Sequence, residues 1–283
     1  MKQWSPIETD ANYLAACLRG EKLYGDDFTP EQIRQWFLDE ENAHFQLGSS
    51  DRTKYKYRYH ALNKRHGYRL LPNRRFEHAL AFGGGYGEEL LPVLDKVGSL
   101  VIVEPAEGYF TSTTLNGVPV SYVKPVPDGS LPFPDGTFDL ITCFGVLHHI
   151  PNVSAVLKEI GRLLAPGGYF LFREPVYSMG DWMRPRHGLT PHERGIPAHL
   201  LDRFLLNSGM EVVCLKKCMF ALSWKLEWLL RRPPFNYAWV AALDEVLCKL
   251  PFLPADYHAT SRLKKLRAGF VHGVVTKPRT AAV

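Results

Sequence analysis

The chain has 283 residues, 46% of them hydrophobic and 22% charged, with a formal net charge of +5, which is enough apolar content to bury a large core and too much for a disordered chain. No stretch is apolar over the length needed to span a bilayer, and residues 1–6 lack the apolar segment of a secretory signal, so a cytoplasmic location is the default expectation. Five scattered cysteines (Cys17, Cys143, Cys214, Cys218 and Cys248) offer neither a disulfide framework nor paired metal-ligand spacing, and no metal site is expected.

Residues 1–50 read as a helical amino-terminal extension, a lid carrying Trp36. From Arg52 to Arg75 the chain holds nine Lys/Arg residues and no Asp or Glu. Interleaved tyrosines in Lys54-Tyr55-Lys56-Tyr57-Arg58-Tyr59 suit stacked bases and phosphates. Tyr55, Tyr59, Leu62 and His66 nevertheless fall at helical spacing, with Asp51 to start the helix and Gly67 to end it, so an amphipathic helix with a solvated basic face is expected rather than a nucleic-acid platform.

An apolar strand over 78–82 runs into Gly83-Gly84-Gly85-Tyr86-Gly87, where glycines at alternate positions let backbone approach a ligand. A helix over 88–97 and a strand over 99–103 follow. That strand ends at Glu104, placed as α/β folds place a carboxylate for ribose hydroxyls. Position 88 is Glu, not the third glycine of a dinucleotide fingerprint, and this favours S-adenosylmethionine over NAD. Further strands are expected at 118–123, 138–144 and 169–174, with a helix over 153–164 started by Asn152 and stopped at Pro166-Gly167-Gly168. Residues 177–197 form a polar insertion, followed by a helix over 198–208 and a strand over 211–215. Residues 220–260 are rich in aromatics and leucine, and 261–283 carry a last strand at 270–276. In the 220–260 segment, Trp224, Trp228, Leu229, Leu230, Arg231 and Arg232 could rest on a membrane surface, although a lid over a pocket or core packing is the expected use. Alternating strands and helices predict an α/β, Rossmann-like doubly wound sheet, mostly parallel, with helices on both faces.

The glycine loop with Glu104, then Ser130-Leu131-Pro132-Phe133-Pro134-Asp135-Gly136-Thr137-Phe138-Asp139, Val146-Leu147-His148-His149-Ile150 and Leu163-Leu164-Ala165-Pro166-Gly167-Gly168, resembles the class I S-adenosylmethionine-dependent methyltransferases in their small-molecule branch. The resemblance runs from about His78 to Pro175. It implies a seven-stranded sheet whose last two strands pair antiparallel at one edge. It also implies S-adenosylmethionine as cofactor, held by Gly83, Gly84, Gly85, Gly87 and Glu104, with Asp128 toward the adenine and with Phe144 and Gly145 beside the adenosine and the transferable methyl. One departure stands out: the family's first motif opens with an acidic residue and this chain has Ala81. A contact to the methionine moiety is then either missing or supplied elsewhere, which keeps open a non-catalytic binding protein of the same fold.

If the acceptor is a hydroxyl, a base must take its proton, and histidine suits that task. His148 and His149, which open the segment after the 138–144 strand, are the first candidates; His187 and His192 in the 177–197 insertion are the alternatives. Arg184, Arg186 and Arg194 in that insertion match phosphates and carboxylates, so a small-molecule or glycan-like acceptor, anionic in character, is expected there with Trp36. The insertion and the Tyr24-Gly25-Asp26-Asp27-Phe28 segment are also similar to methyltransferases of bacterial polysaccharide and glycolipid assembly. Amino-directed nucleic-acid methylation is disfavoured, because Cys143-Phe144-Gly145-Val146 stands where an Asn/Asp-Pro-Pro-Tyr/Phe segment belongs. An NAD(P)-dependent oxidoreductase lacks its third glycine and its Tyr-x-x-x-Lys pair.

Overall fold

A computed structural model describes residues 9–49, 51–184, 186–250 and 256–279; the amino-terminal segment read above for a signal lies outside them. The helices are α1 (Ala11–Leu18), α2 (Pro30–Glu40), α3 (His60–His66), α4 (Val153–Leu163), α5 (Ala198–Asn207) and α6 (Ala238–Leu247). The strands are β1 (Phe76–Phe82), β2 (Val97–Val103), β3 (Thr114–Leu115), β4 (Val118–Val123), β5 (Phe138–Phe144), β6 (Leu164–Pro175), β7 (Glu211–Phe220) and β8 (Ala268–Thr276). They form one sheet in the order β3-β4-β2-β1-β5-β6-β8-β7. Pairing is parallel from β4 through β2, β1 and β5 to β6, and β8 lies antiparallel between β6 and β7.

The central strands are apolar on both faces because both are covered. In β1, Leu80 and Phe82 pack with Val156, Leu157 and Ile160 of α4 and with Leu200, Leu201 and Phe204 of α5. Ala79 and Ala81 face the other way, toward Leu90, Val93 and Leu94. This two-sided burial is what makes the fold a doubly wound α/β sheet. The sheet has eight strands rather than the expected seven, because Thr114–Leu115 pairs antiparallel with β4. Asn116 and Gly117, at φ +46° and +86°, make the two-residue turn that favours such a hairpin.

The expected helix from Asp51 to His66 forms only over His60–His66. Asp51 instead closes a turn, accepting from the backbone N–H of Thr53 at 3.0 Å. Tyr55, Tyr57 and Tyr59 alternate with Lys54, Lys56 and Arg58, and this period of two turns the rings inward while Lys54 and Lys56 stay exposed. Tyr55 meets Tyr86, and Tyr59 meets Trp224 and Phe235. The 88–97 helix is a 3-10 segment, Glu88–Lys96, interrupted by Pro92. α4 ends at Leu163 and runs straight into β6, so Pro166-Gly167-Gly168 falls in the strand's irregular start rather than at the helix stop.

The described residues of 177–197 carry no regular helix or strand. In the 220–260 segment, Trp224 turns inward onto Phe235, whereas Trp228 and Leu229 are 83% and 63% exposed. Among the described residues no helix is long and apolar enough to cross a membrane. Asp244 of α6 ties this segment to the sheet: its buried carboxylate accepts from the N–H groups of Met219 and Phe220, both at 2.7 Å, and from the Ser223 hydroxyl at 2.6 Å. Met219 sits at φ +59°, a conformation that this carboxylate stabilises. Asp244→Ala leaves two buried N–H groups unpaired and should cost about 2–4 kcal/mol of stability, read as a lowered midpoint in urea unfolding; an unchanged midpoint would show that the tie carries no load.

Candidate active site

A cavity of about 570 Å³ opens beyond the carboxyl ends of β1, β2, β5 and β6, where an open α/β sheet receives its ligands. Its size lies within the roughly 300–1,000 Å³ of cofactor and substrate pockets. Gly83, Gly84 and Gly85 line it. Gly83 has φ +67°, and a Cβ there would lie 2.4 Å from the Val146 side chain, so only glycine lets the loop turn against the segment after β5. Gly87 closes the loop with φ +75°, donating its N–H to Gly84 O at 2.8 Å, and is not among the cavity-lining residues.

Glu104 follows β2 and turns toward this loop. Its Oε2 accepts from the Gly85 N–H at 3.0 Å, and its Oε1 has only a long contact of 3.5 Å to the Ala106 N–H, leaving lone pairs for hydroxyl donors. Burial pushes the Glu104 carboxyl up to about 7 against the opposing pull of those N–H groups. Phe144 and Gly145 also line the cavity. Asp128 does not: it is exposed, its Oδ1 accepts from the Ser130 N–H at 2.9 Å, and its turn chemistry wins over the expected adenine contact. Pro127 and Gly129 line the wall in its place.

A carboxylate does lie near Ala81, on another element. Ala81 pairs with Thr142 on β5, and the Thr142 hydroxyl donates to Glu89, which lies in the segment after the glycine loop. Glu89 is buried and lines the cavity; burial raises its carboxyl to about 7, opposed by the Thr142 bond and by Arg173. Arg173 is a buried cation on the same wall. Its guanidinium lies 3.8 Å from the centre of the Tyr59 ring and donates to Asn63 Oδ1 at 2.7 Å. Its Nε is buried and has no hydrogen-bond partner among the described residues; what Arg173 offers the cavity is its positive charge. Neither residue was anticipated, although Glu89 lies next to the Glu88 that breaks the glycine fingerprint.

The turn after β5, which also lines the cavity, carries His148 and His149. Glu174, fully buried at the end of β6, accepts from the N–H groups of Val146, Leu147 and His148 at 2.9, 3.0 and 3.2 Å. His148 Nδ1 lies 2.8 Å from Glu174 Oε2, and its Nε2 lies 3.3 Å from Glu193 Oε1. Burial lowers the His148 pKa, but the bonds to Glu174 and Glu193 outweigh it and bring the group to about 9. His149 Nδ1 lies 2.9 Å from Glu40 Oε2 and 3.0 Å from Thr190 Oγ1, with its Nε2 3.8 Å from Glu193 Oε1. Glu40 comes from α2 and Glu193 from the insertion, so two segments remote in sequence complete the surroundings of His149.

The other expected site residues have different duties. His187 and Arg184 are exposed and away from the cavity, and Arg184 faces Asp181 at 3.4 Å. Arg186 ties its own loop through the carbonyls of Met179, Thr190 and Pro191. Arg194 is fully buried and donates to the carbonyls of Tyr24, Leu147, His148, Ile150 and Pro151. Arg186 and Arg194 satisfy backbone carbonyls that would otherwise be orphaned, so among the described residues their guanidinium groups are engaged within the protein rather than toward the cavity. Trp36 lines the cavity, yet its indole N–H donates to His149 O at 2.6 Å, fixing the turn. His192 packs on Trp36 with ring centroids 4.7 Å apart and bonds Asp39, outside the cavity.

A family model described as a methyltransferase domain matches residues 55–234, more than half of the chain. Among curated relatives, a fatty-acid O-methyltransferase of Mycolicibacterium smegmatis is 41% identical over 56 residues, covering 19% of this chain and 20% of that protein. A sterol 4-C-methyltransferase of Caenorhabditis elegans is 32% identical over 99 residues, covering 33% of this chain and 30% of that protein. The match therefore spans well under two thirds of these relatives. The crystal structure of the [4+2]-cyclase SpnF is similar in fold, with a TM-score of 0.53 and 16% identity, over 91% of this chain and 100% of that one. With the glycine loop, the facing Glu104 and the sheet order already in place, the chain belongs to the S-adenosylmethionine-dependent methyltransferase family.

Proposed function

We propose that the chain transfers the methyl group of S-adenosylmethionine to a hydroxyl oxygen of a small or glycan-like acceptor. The observation that carries this reading is a single cavity lined by the glycine loop and Glu104 and by the His149–Glu193 cluster. When bound, the cofactor supplies a methyl group already activated by its sulfonium. The residues present fit it. The glycine loop offers bare backbone, Glu104 accepts from the ribose hydroxyls, Arg173 pairs with the methionine carboxylate and Glu89 with its ammonium. Phe144 and Gly145 lie beside the adenosine. The remaining work is to align the acceptor, exclude water and remove a proton. His149 and Glu193 are the cavity groups to which the hydroxyl's proton is given, with Glu40 and Thr190 holding the imidazole. α2 and Trp224 act as covers, and the tyrosines at 55, 57 and 59 offer ring faces for a sugar or other cyclic acceptor.

The competing reading, a non-catalytic binding protein of this fold, rests on Ala81. Glu89 answers it by presenting a carboxylate beside Thr142, the sheet partner of Ala81.

Calorimetric titration should show micromolar binding of S-adenosylmethionine and S-adenosylhomocysteine and none of NAD; no binding of either adenosyl ligand would favour the non-catalytic reading. Because burial raises the Glu104 carboxyl to about 7, and the ionised form is the stronger acceptor for both hydroxyls, affinity should fall as pH drops through 7, by up to about tenfold per unit. Glu104→Gln should abolish that dependence and weaken binding by about 1–3 kcal/mol; a variant that binds as tightly as the parent would misplace the ribose site. His149→Ala should leave cofactor affinity nearly unchanged while slowing turnover of a hydroxyl acceptor by about 10²–10⁴-fold, and full activity would remove it from the reaction.

A further inference from the structure

We propose that His148 Nε2, His149 Nε2 and Glu193 Oε1 bind one divalent first-row transition-metal ion in the cavity. One ligand atom from each of the three residues lies within 4.8 Å of the others, and His148 and His149 Nε2 stand 3.3 and 3.8 Å from Glu193 Oε1. Donors held at about 2.1 Å from one tetrahedral ion stand about 3.4 Å apart, so small side-chain adjustments close the set. All three residues line the cavity.

The geometry around these atoms is the second support. Each imidazole turns its Nδ1 away from Glu193 onto a buried carboxylate: His148 onto Glu174 at 2.8 Å, His149 onto Glu40 at 2.9 Å. A carboxylate on the far nitrogen fixes the tautomer and aims the Nε2 lone pair, the usual outer shell of a metal-bound histidine. Glu193 is held likewise, its Oε2 accepting from the Thr190 N–H at 2.9 Å. With Nδ1 protonated in both rings, a divalent ion would displace the proton that His148 Nε2 shares with Glu193 Oε1 and take up both Nε2 lone pairs. Two imidazoles and one carboxylate suit zinc, iron, manganese or cobalt better than magnesium or calcium.

Three protein ligands leave a position for water or an acceptor oxygen. The metal's chemical role rests on the methyl-transfer reading above; its binding does not. An acceptor hydroxyl that coordinates would be made acidic by the ion and would give its proton to solvent water as it binds, so with the metal bound His149 and Glu193 would serve as ligands and no longer take that proton themselves.

The test is titration of the chelator-treated full chain with Co²⁺, followed by visible absorption and by Zn²⁺ competition, in the absence of cofactor. One equivalent should bind with micromolar affinity or better, His149→Ala and Glu193→Gln should lose it, and Glu40→Gln should weaken it by about 10–100-fold. Absence of saturable binding by the unmodified chain would overturn the proposal, as would unchanged affinity in both ligand variants. S-adenosylmethionine titration of the same samples checks that the variants are folded. It also separates the two readings: Co²⁺ binding without cofactor binding would sink the methyl-transfer reading alone, and the converse would sink only the metal site.

Discussion

The turn after β5 is the constraint on which the site depends, because it lines the cavity without regular pairing and needs side chains to satisfy its backbone polar groups. Glu174 accepts from its N–H groups and Arg194 donates to its carbonyls. One buried carboxylate and one buried guanidinium thus satisfy opposite halves of the same peptide segment. Trp36 adds a third tie through His149 O. These ties hold His148 and His149 at the cavity wall, and they explain why residues with the chemistry of substrate ligands are occupied elsewhere. Arg194 could pair with an acceptor phosphate only by abandoning five carbonyls.

The cofactor loop is built by a different device. Glycines at positive φ let the loop after β1 pass under Val146 without a side chain, and Glu104 clamps the loop through the Gly85 N–H. Ala81 itself brings no carboxylate to the strand; the carboxylate near it is Glu89 of the following segment, which meets Thr142, the sheet partner of Ala81.

Remote segments complete the surroundings of His149. Glu40 arrives from α2 and Glu193 from the insertion after β6, and both address the same imidazole. The aromatic wall comes from an extended segment before α3, closed by Trp224. A fold shared with a [4+2]-cyclase does not dictate the reaction; the residues that these additions bring to the cavity do.

Local pattern was enough to read the sheet. Apolar strands, their spacing, the glycine loop and Glu104 were all legible, because a doubly wound sheet requires buried runs separated by turn residues. The Asn116-Gly117 hairpin was written there too, and so was the period of two in 54–59, which a helical spacing of Tyr55, Tyr59, Leu62 and His66 obscured. What the sequence alone determined, then, was the scaffold and the position of its cofactor loop. Only the tertiary structure decided which polar side chains face the cavity, releasing Asp128, His187 and the three arginines from it and bringing in Glu40, Glu89, Arg173 and Glu193. The physical reason is that a buried polar group takes whichever partner leaves fewest N–H and C=O groups unpaired, and those partners come from segments that no local pattern connects.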